Sequence, residues 1–193
     1  DGEQEEEEDM SEFNFEDDED VQNGNIDHPI IAGHNAVAIG FKIYVFGGVE
    51  EHGNRHHNEM FVFDTLTKQW SILNCTGDIP CAREGHSMIL NDDFSKIYIC
   101  LGGDSSGFFI DVYEFDVATN KFTQFPASIY EKEYCFPSGC WYSAATYYDK
   151  KLYFVGGYCY GHARPPVNAI YSYDLEKQKW VKPIEINLKT SEF

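Results

Sequence analysis

Three apolar runs in this chain, each headed by a Lys, end in a Gly-Gly pair. They are Lys42-Ile43-Tyr44-Val45-Phe46 before Gly47-Gly48, Lys96-Ile97-Tyr98-Ile99-Cys100-Leu101 before Gly102-Gly103, and Lys151-Leu152-Tyr153-Phe154-Val155 before Gly156-Gly157. The pairs lie 55 and 54 residues apart. Self-similarity at a period of about fifty residues means one supersecondary unit, repeated and stacked. The β-branched and aromatic content of the runs is that of strands. The glycines let the chain turn at the strand end and let backbone approach where a side chain would clash.

A second regularity fixes the register. Downstream of each pair an aromatic precedes an Asp, at Phe63-Asp64, Phe115-Asp116 and Tyr173-Asp174, and another aromatic follows six residues after the Asp, at Trp70, Phe122 and Trp180. The intervening residues are polar and of turn length, so each Asp-to-aromatic stretch predicts a hairpin. The distance from the first glycine to the Asp varies instead, being 17, 14 and 18 residues. Variable length belongs to loops on one face of a repeat array, often the binding face.

On these residues the chain resembles the kelch repeat family, over roughly residues 28 to 185. The resemblance implies an all-β fold of kelch-type β-propeller blades, each of four antiparallel strands, with Gly-Gly after the second strand, an aromatic ending the third and a Trp in the fourth. Phe122 stands where that Trp is expected, keeping the aromatic bulk but losing the indole N–H. Trp70, Phe122 and Trp180 are expected to wedge between adjacent blades, since a large aromatic buries roughly 150–250 Å². The segments leading into each unit match unevenly: Pro80-Cys81-Ala82-Arg83-Glu84-Gly85-His86-Ser87 is close to the family form, Gly33-His34-Asn35 lacks the Arg, and Pro137-Ser138-Gly139-Cys140-Trp141-Tyr142-Ser143 departs most. The WD40 repeat shares the Gly-His pair, but the chain has no Trp-Asp dipeptide and its period is too long.

The resulting division is an acidic tail over 1–27, kelch repeats over 28–80, 81–132 and 133–188, and a short end at 189–193. Ordinary propellers close with about four to eight blades. Three blades therefore predict a partial or open propeller, whose edges are covered by further blades on the C-terminal side or by self-association. Val181 to Leu188 reads as one last strand.

Of 33 acidic residues, 14 fall in residues 1–27, which hold no Lys or Arg; the rest of the chain is left with 19 acids and 14 bases. The tail, with its runs Glu5–Asp9 and Glu16–Asp20, repels itself and is expected to be a disordered low-complexity leader, with Phe13 and Phe15 as possible anchors on a basic partner. The mildly acidic repeat region lacks the electrostatic footprint of a nucleic-acid binder. No apolar run is long enough to cross a membrane as a helix. The six Cys residues show no Cys-x-x-Cys spacing and no secretory leader is visible, so reduced thiols in the cytoplasm or nucleus are expected.

Function is expected in the loops beyond each Gly-Gly pair and at the lead-in to each first strand, which kelch-like proteins use for recognition. The first loop carries His52, Arg55 and His56, the second Asp104, and the third Tyr158, Tyr160, His162 and Arg164. Tyr, His and Arg are side chains that dominate interface hot spots. Arg83 joins these partner-binding candidates by resemblance to kelch proteins that bind acidic peptides; the alternative is a structural bond to carbonyls of a neighbouring blade. The His residues of the first loop lack the spacing of a zinc site, and the motifs of serine hydrolases, zinc proteases and phosphate loops are absent. A galactose-oxidase-like copper site would need a Tyr–Cys pair and several His; Tyr134-Cys135 and Tyr158-Cys159 occur without a convincing His set. The expectation is a non-catalytic module without a cofactor that binds a protein partner, as a ubiquitin-ligase substrate adaptor or as a trafficking or cytoskeletal scaffold. A propeller with a small-molecule or metal site is the alternative.

Overall fold

The computed structural model describes residues 29–50, 55–126, 140–158 and 169–185. Three antiparallel sheets stand side by side, one per repeat. The first is built from Asn35–Ile39, Lys42–Phe46, Met60–Asp64 and Gln69–Ile72, paired in chain order. The second uses Ser87–Leu90, Lys96–Cys100, Val112–Asp116 and Lys121–Phe125 in the same order. Its outer edge gains Thr76–Gly77, which runs parallel to Lys121–Phe122, so the chain leaving the first blade ties down the next. The third is Ala144–Tyr148, Lys151–Val155, Ala169–Asp174 and Lys179–Glu185. Val181 continues the strand that holds Trp180, so Val181–Glu185 belongs to the third blade and is not a strand of its own. These are four-stranded kelch-type blades, and no closed ring forms among the described residues.

The recurrent six-residue spacing has a direct cause. Each Asp accepts backbone N–H bonds from the turn that follows: Asp64 from Leu66 and Thr67, Asp116 from Thr119, Asp174 from Lys177. The turn then closes through one left-handed residue, Lys68, Asn120 or Gln178, at φ 59°, 53° and 51°. The carboxylate thus sets the turn length, and the aromatic lands opposite the residue before the Asp, as Trp70 opposite Phe63, Phe122 opposite Phe115 and Trp180 opposite Tyr173.

The glycine pairs are less regular than the sequence suggests. Pairing aligns Phe46, Cys100 and Val155 as the last residues of equivalent strands, because they face Asn35, Ser87 and Ala144. The next position is Gly47 in the first blade and Gly156 in the third, but Leu101 in the second, all left-handed at φ 64°, 67° and 63°. Leu101 is therefore not the strand end but occupies a glycine's place, and its fully buried side chain offsets a backbone conformation that costs roughly 1–2 kcal/mol in an L-residue. Gly48, Gly102 and Gly157 are the equivalent second glycines. A Cβ on Gly102 would meet Glu84 O at 2.6 Å, and one on Gly157 would meet Cys140 Sγ at 2.5 Å, so at these positions only glycine lets the lead-in segment close on the sheet.

Two apolar layers join the blades. Between the first and second lie Tyr44, Phe46, Met60, Val62, Ile97, Phe115 and Phe122. Between the second and third lie Tyr98, Val112, Leu152, Phe154, Tyr173 and Trp180, where Trp180 Nε1 donates to Ile110 O and Tyr173 OH to Pro126 O. Phe122 and Trp180 thus wedge against the preceding blade as expected. Trp70 has no preceding blade among the described residues; it is half-buried against Phe63, ring centres 5.1 Å apart. At the other flank Val155 and Ile184 stand about half exposed, whereas Phe46, the counterpart of Val155 in the first blade, is fully buried.

Candidate interaction site

Strand polarity collects the variable segments at one end. First strands begin, second strands end and third strands begin there, so the lead-ins and the loops after the glycines share that end, while the Asp-closed turns lie at the other. Backbone bonds knit the loop end across blades. Gly85 N–H donates to Gly33 O (2.8 Å) and Tyr142 N–H to Gly85 O (2.7 Å), linking the three lead-ins in series. Gly48 N–H donates to Arg83 O and Gly102 N–H to Cys140 O, tying each glycine loop to the next blade's lead-in.

Arg83 is placed in the interior rather than on this surface. Its side chain is fully buried, with Nη1 and Nη2 bonded to the Asp111 carboxylate at 2.6 and 2.8 Å, Nη1 also to Leu101 O and Nε to Cys81 O. The guanidinium lies over the Phe109 ring at 4.4 Å. With these donors engaged inside its own blade, Arg83 organises the loop that follows the glycines; the spacing of a family motif could not reveal that Asp111 waits 28 residues on.

The other candidates divide. Arg55 is exposed and pairs with Glu59 at 3.0 Å and Glu50 at 3.8 Å. His56 Nε2 lies 3.4 Å from Glu84 Oε1, bridging the first and second blades. Asp104 accepts the Ser106 N–H and hydroxyl at 2.8 and 2.6 Å; burial opposes its charge, but these bonds and nearby His56 hold its carboxyl below the usual range. Tyr158 is more than half exposed and its backbone pairs with Trp141 in both directions, at 2.8 and 2.9 Å. His52, Tyr160, His162 and Arg164 lie outside the described residues. Among the described residues no three His, Cys, Asp or Glu side chains gather to hold a metal.

Sequence reasoning passed over the residues that join these candidates. Glu84 takes His56 on one oxygen and the Tyr142 hydroxyl on the other at 3.3 Å. Tyr142 occupies the position of Gly33 and Gly85 and shares their left-handed backbone, φ 57° against 65° and 61°. Beside it, Trp141, Phe108, Tyr158 and the loop Asp104–Gly107 enclose an open cleft of about 370 Å³ between the second and third blades. The signal was present in the third lead-in, the one that departs most from the repeat, where Trp141-Tyr142 stands in place of Glu84-Gly85.

Comparison with known proteins agrees with this architecture. Residues 33–191 match the family model described as the KLHDC2/KLHL20/DRC7 Kelch-repeats domain. The chain is 29% identical over 153 residues to the N-(sulfonatooxy)prop-2-enimidothioate sulfolyase of Thlaspi arvense, covering 77% of this chain and 42% of that protein. It is 32% identical over 95 residues to tip elongation aberrant protein 3 of Schizosaccharomyces pombe, covering 47% of this chain and 8% of that protein. With human Kelch domain-containing protein 10 it shares 24% identity over 151 residues, 78% of this chain and 33% of the relative. The chain spans less than half the length of each of these relatives.

Proposed function

The chain belongs to the KLHDC2/KLHL20/DRC7 kelch-repeat family, and on that premise we propose that it is a non-catalytic interaction module that grips a protein partner with the loop end of its blades. The observation that carries this reading is the series of backbone bonds from Gly33 through Gly85 to Tyr142, which turns three divergent lead-ins into one continuous surface. Exposed Tyr142 and Tyr158 rise from it beside Glu84 and Asp104. Aromatic side chains at the centre of a supported surface supply most of the energy of protein recognition. The opposite end holds the three Asp-closed turns and the turns between first and second strands, at Gly40-Phe41, 91–95 and Asp149-Lys150. The role in the cell is that of a substrate-recognition subunit of a ubiquitin ligase or of a scaffold in trafficking or cytoskeletal assembly.

Peptides selected from a random display library on the purified chain test this. Changing Tyr142 to Gly, the residue of the other two repeats, relieves the left-handed tyrosine and leaves folding intact. The selected peptides should nonetheless bind about tenfold or more weakly, the loss typical of a hot-spot aromatic. Leu66→Ala, in an exposed turn of the opposite end, should bind them unchanged. Equal binding by the Tyr142 variant contradicts the assignment. A catalytic reading draws on the similarity to the sulfolyase, and turnover of that enzyme's class of substrate by the purified chain would replace the present proposal.

A further inference from the structure

The cleft between the second and third blades has a chemistry of its own. Its walls come from two elements. One is the tight loop of the second blade, where Gly103–Asp104 pairs with Gly107–Phe108. The other is the two-way backbone bridge between Trp141 and Tyr158 of the third blade. Phe108 and Trp141 pack against each other in its wall, with ring centres 4.9 Å apart. Tyr158 completes an aromatic lining, and Asp104, fixed by Ser106, places an ionised carboxylate at the wall. Gly103 makes the arrangement possible, since a Cβ there would meet Trp141 Nε1 at 2.6 Å.

Two local costs mark the same spot. Tyr142 keeps a left-handed backbone where the other repeats use glycine. The Trp141 indole N–H is buried without a hydrogen-bond partner among the described residues, an arrangement that costs stability. The strain marks the lead-in as a segment held in place for binding, whereas the N–H is a donor that calls for an acceptor and is not satisfied by a cation.

Aromatic faces around a carboxylate attract a cation: ring quadrupoles present negative charge to it and the carboxylate completes its neutralisation. An anionic or purely apolar occupant would leave Asp104 repelled or desolvated without compensation. We propose that this cleft binds the side-chain cation of a lysine or arginine in a basic segment of the partner protein. The inference rests on the loop end being the recognition surface and adds the chemistry of one pocket within it.

The test is a titration of the chain with three capped tripeptides, acetyl-Gly-Lys-Gly-amide, acetyl-Gly-Arg-Gly-amide and the neutral acetyl-Gly-norleucine-Gly-amide. It is followed by the indole ¹⁵N–H resonance of Trp141, assigned with Trp141→Phe. The two cationic peptides should give saturable shifts and the norleucine peptide none. Asp104→Asn keeps the acceptor for Ser106 but removes the charge, and should weaken cation binding about tenfold, as should Phe108→Leu, which removes a ring. Saturation by norleucine at the same concentration, no shift with any peptide, or an unchanged titration in a folded Asp104→Asn variant overturns the proposal. Library peptides that bind the loop end yet ignore Asp104→Asn overturn the cation site while leaving the recognition surface standing.

Discussion

Two buried side chains of the second lead-in, Arg83 and His86, depart from their ordinary behaviour for reasons visible in their surroundings. Arg83 is held by Asp111, two carbonyls and an aromatic face, so it serves as an internal strut. His86 is buried with neither ring nitrogen hydrogen-bonded among the described residues, edge-on to Phe46 at 5.6 Å. Burial, helped by the charge of Arg83, pulls its pKa down from 6.5 to about 3. Between those values the unfolded chain takes up a proton that the folded chain refuses. Stability is therefore undiminished above about pH 6.5 and falls as pH drops toward 3, by at most about 1.4 kcal/mol per pH unit from this residue. Urea unfolding of the parent and of His86→Leu from pH 7.5 to 4 should show a shallower acid decline in the variant, and parallel profiles would show that His86 is solvated. None of this was readable from the Gly-His pair, since the sequence says nothing about which lead-in is covered by a neighbour.

At the scale of the element, the strands and the Asp-closed turns were legible because their causes are local. Asp64, Asp116 and Asp174 each bond amides two or three residues away, and a local bond leaves a fixed spacing in the sequence. Leu101 was not legible, because it replaces a glycine at a position defined by cross-strand pairing rather than by distance along the chain, and Tyr142 showed only as a departure in the third lead-in. Gly47 and Gly156 turn that difference into a measurement. They share a left-handed backbone, but a Cβ at Gly47 would meet Arg83 O at 2.5 Å and His86 Cε1 at 2.9 Å, whereas one at Gly156 meets nothing within 4 Å among the described residues. Both alanine variants lose roughly 1–2 kcal/mol to the backbone. Gly47→Ala should lose about 1–3 kcal/mol more, the cost of overpacking. Equal losses in urea unfolding would mean that a further surface packs on the third blade's flank in solution.

The whole molecule is an array whose two ends do different things. One end carries the Asp-closed turns and the turns between first and second strands, and the other gathers the lead-ins and the loops after the glycines. The flank of the third blade, with Val155 and Ile184 half exposed, is where the array would be extended or covered. The candidate site was legible in part: Asp104, His56 and Tyr158 stand at the loop end, whereas Arg83 turned inward, and Glu84, Trp141 and Tyr142 became visible only once the lead-ins were seen to bond to one another. Partner recognition by that end is the central claim, and hydrogen exchange of the chain with and without a tightly bound library peptide tests it most directly. Slowed exchange confined to amides of residues 55–58, 83–86, 102–108, 140–142 and 156–158 is the predicted result. Protection centred instead on the turns at 64–69, 116–121 and 174–179, or along the outer strand 179–185, would contradict it.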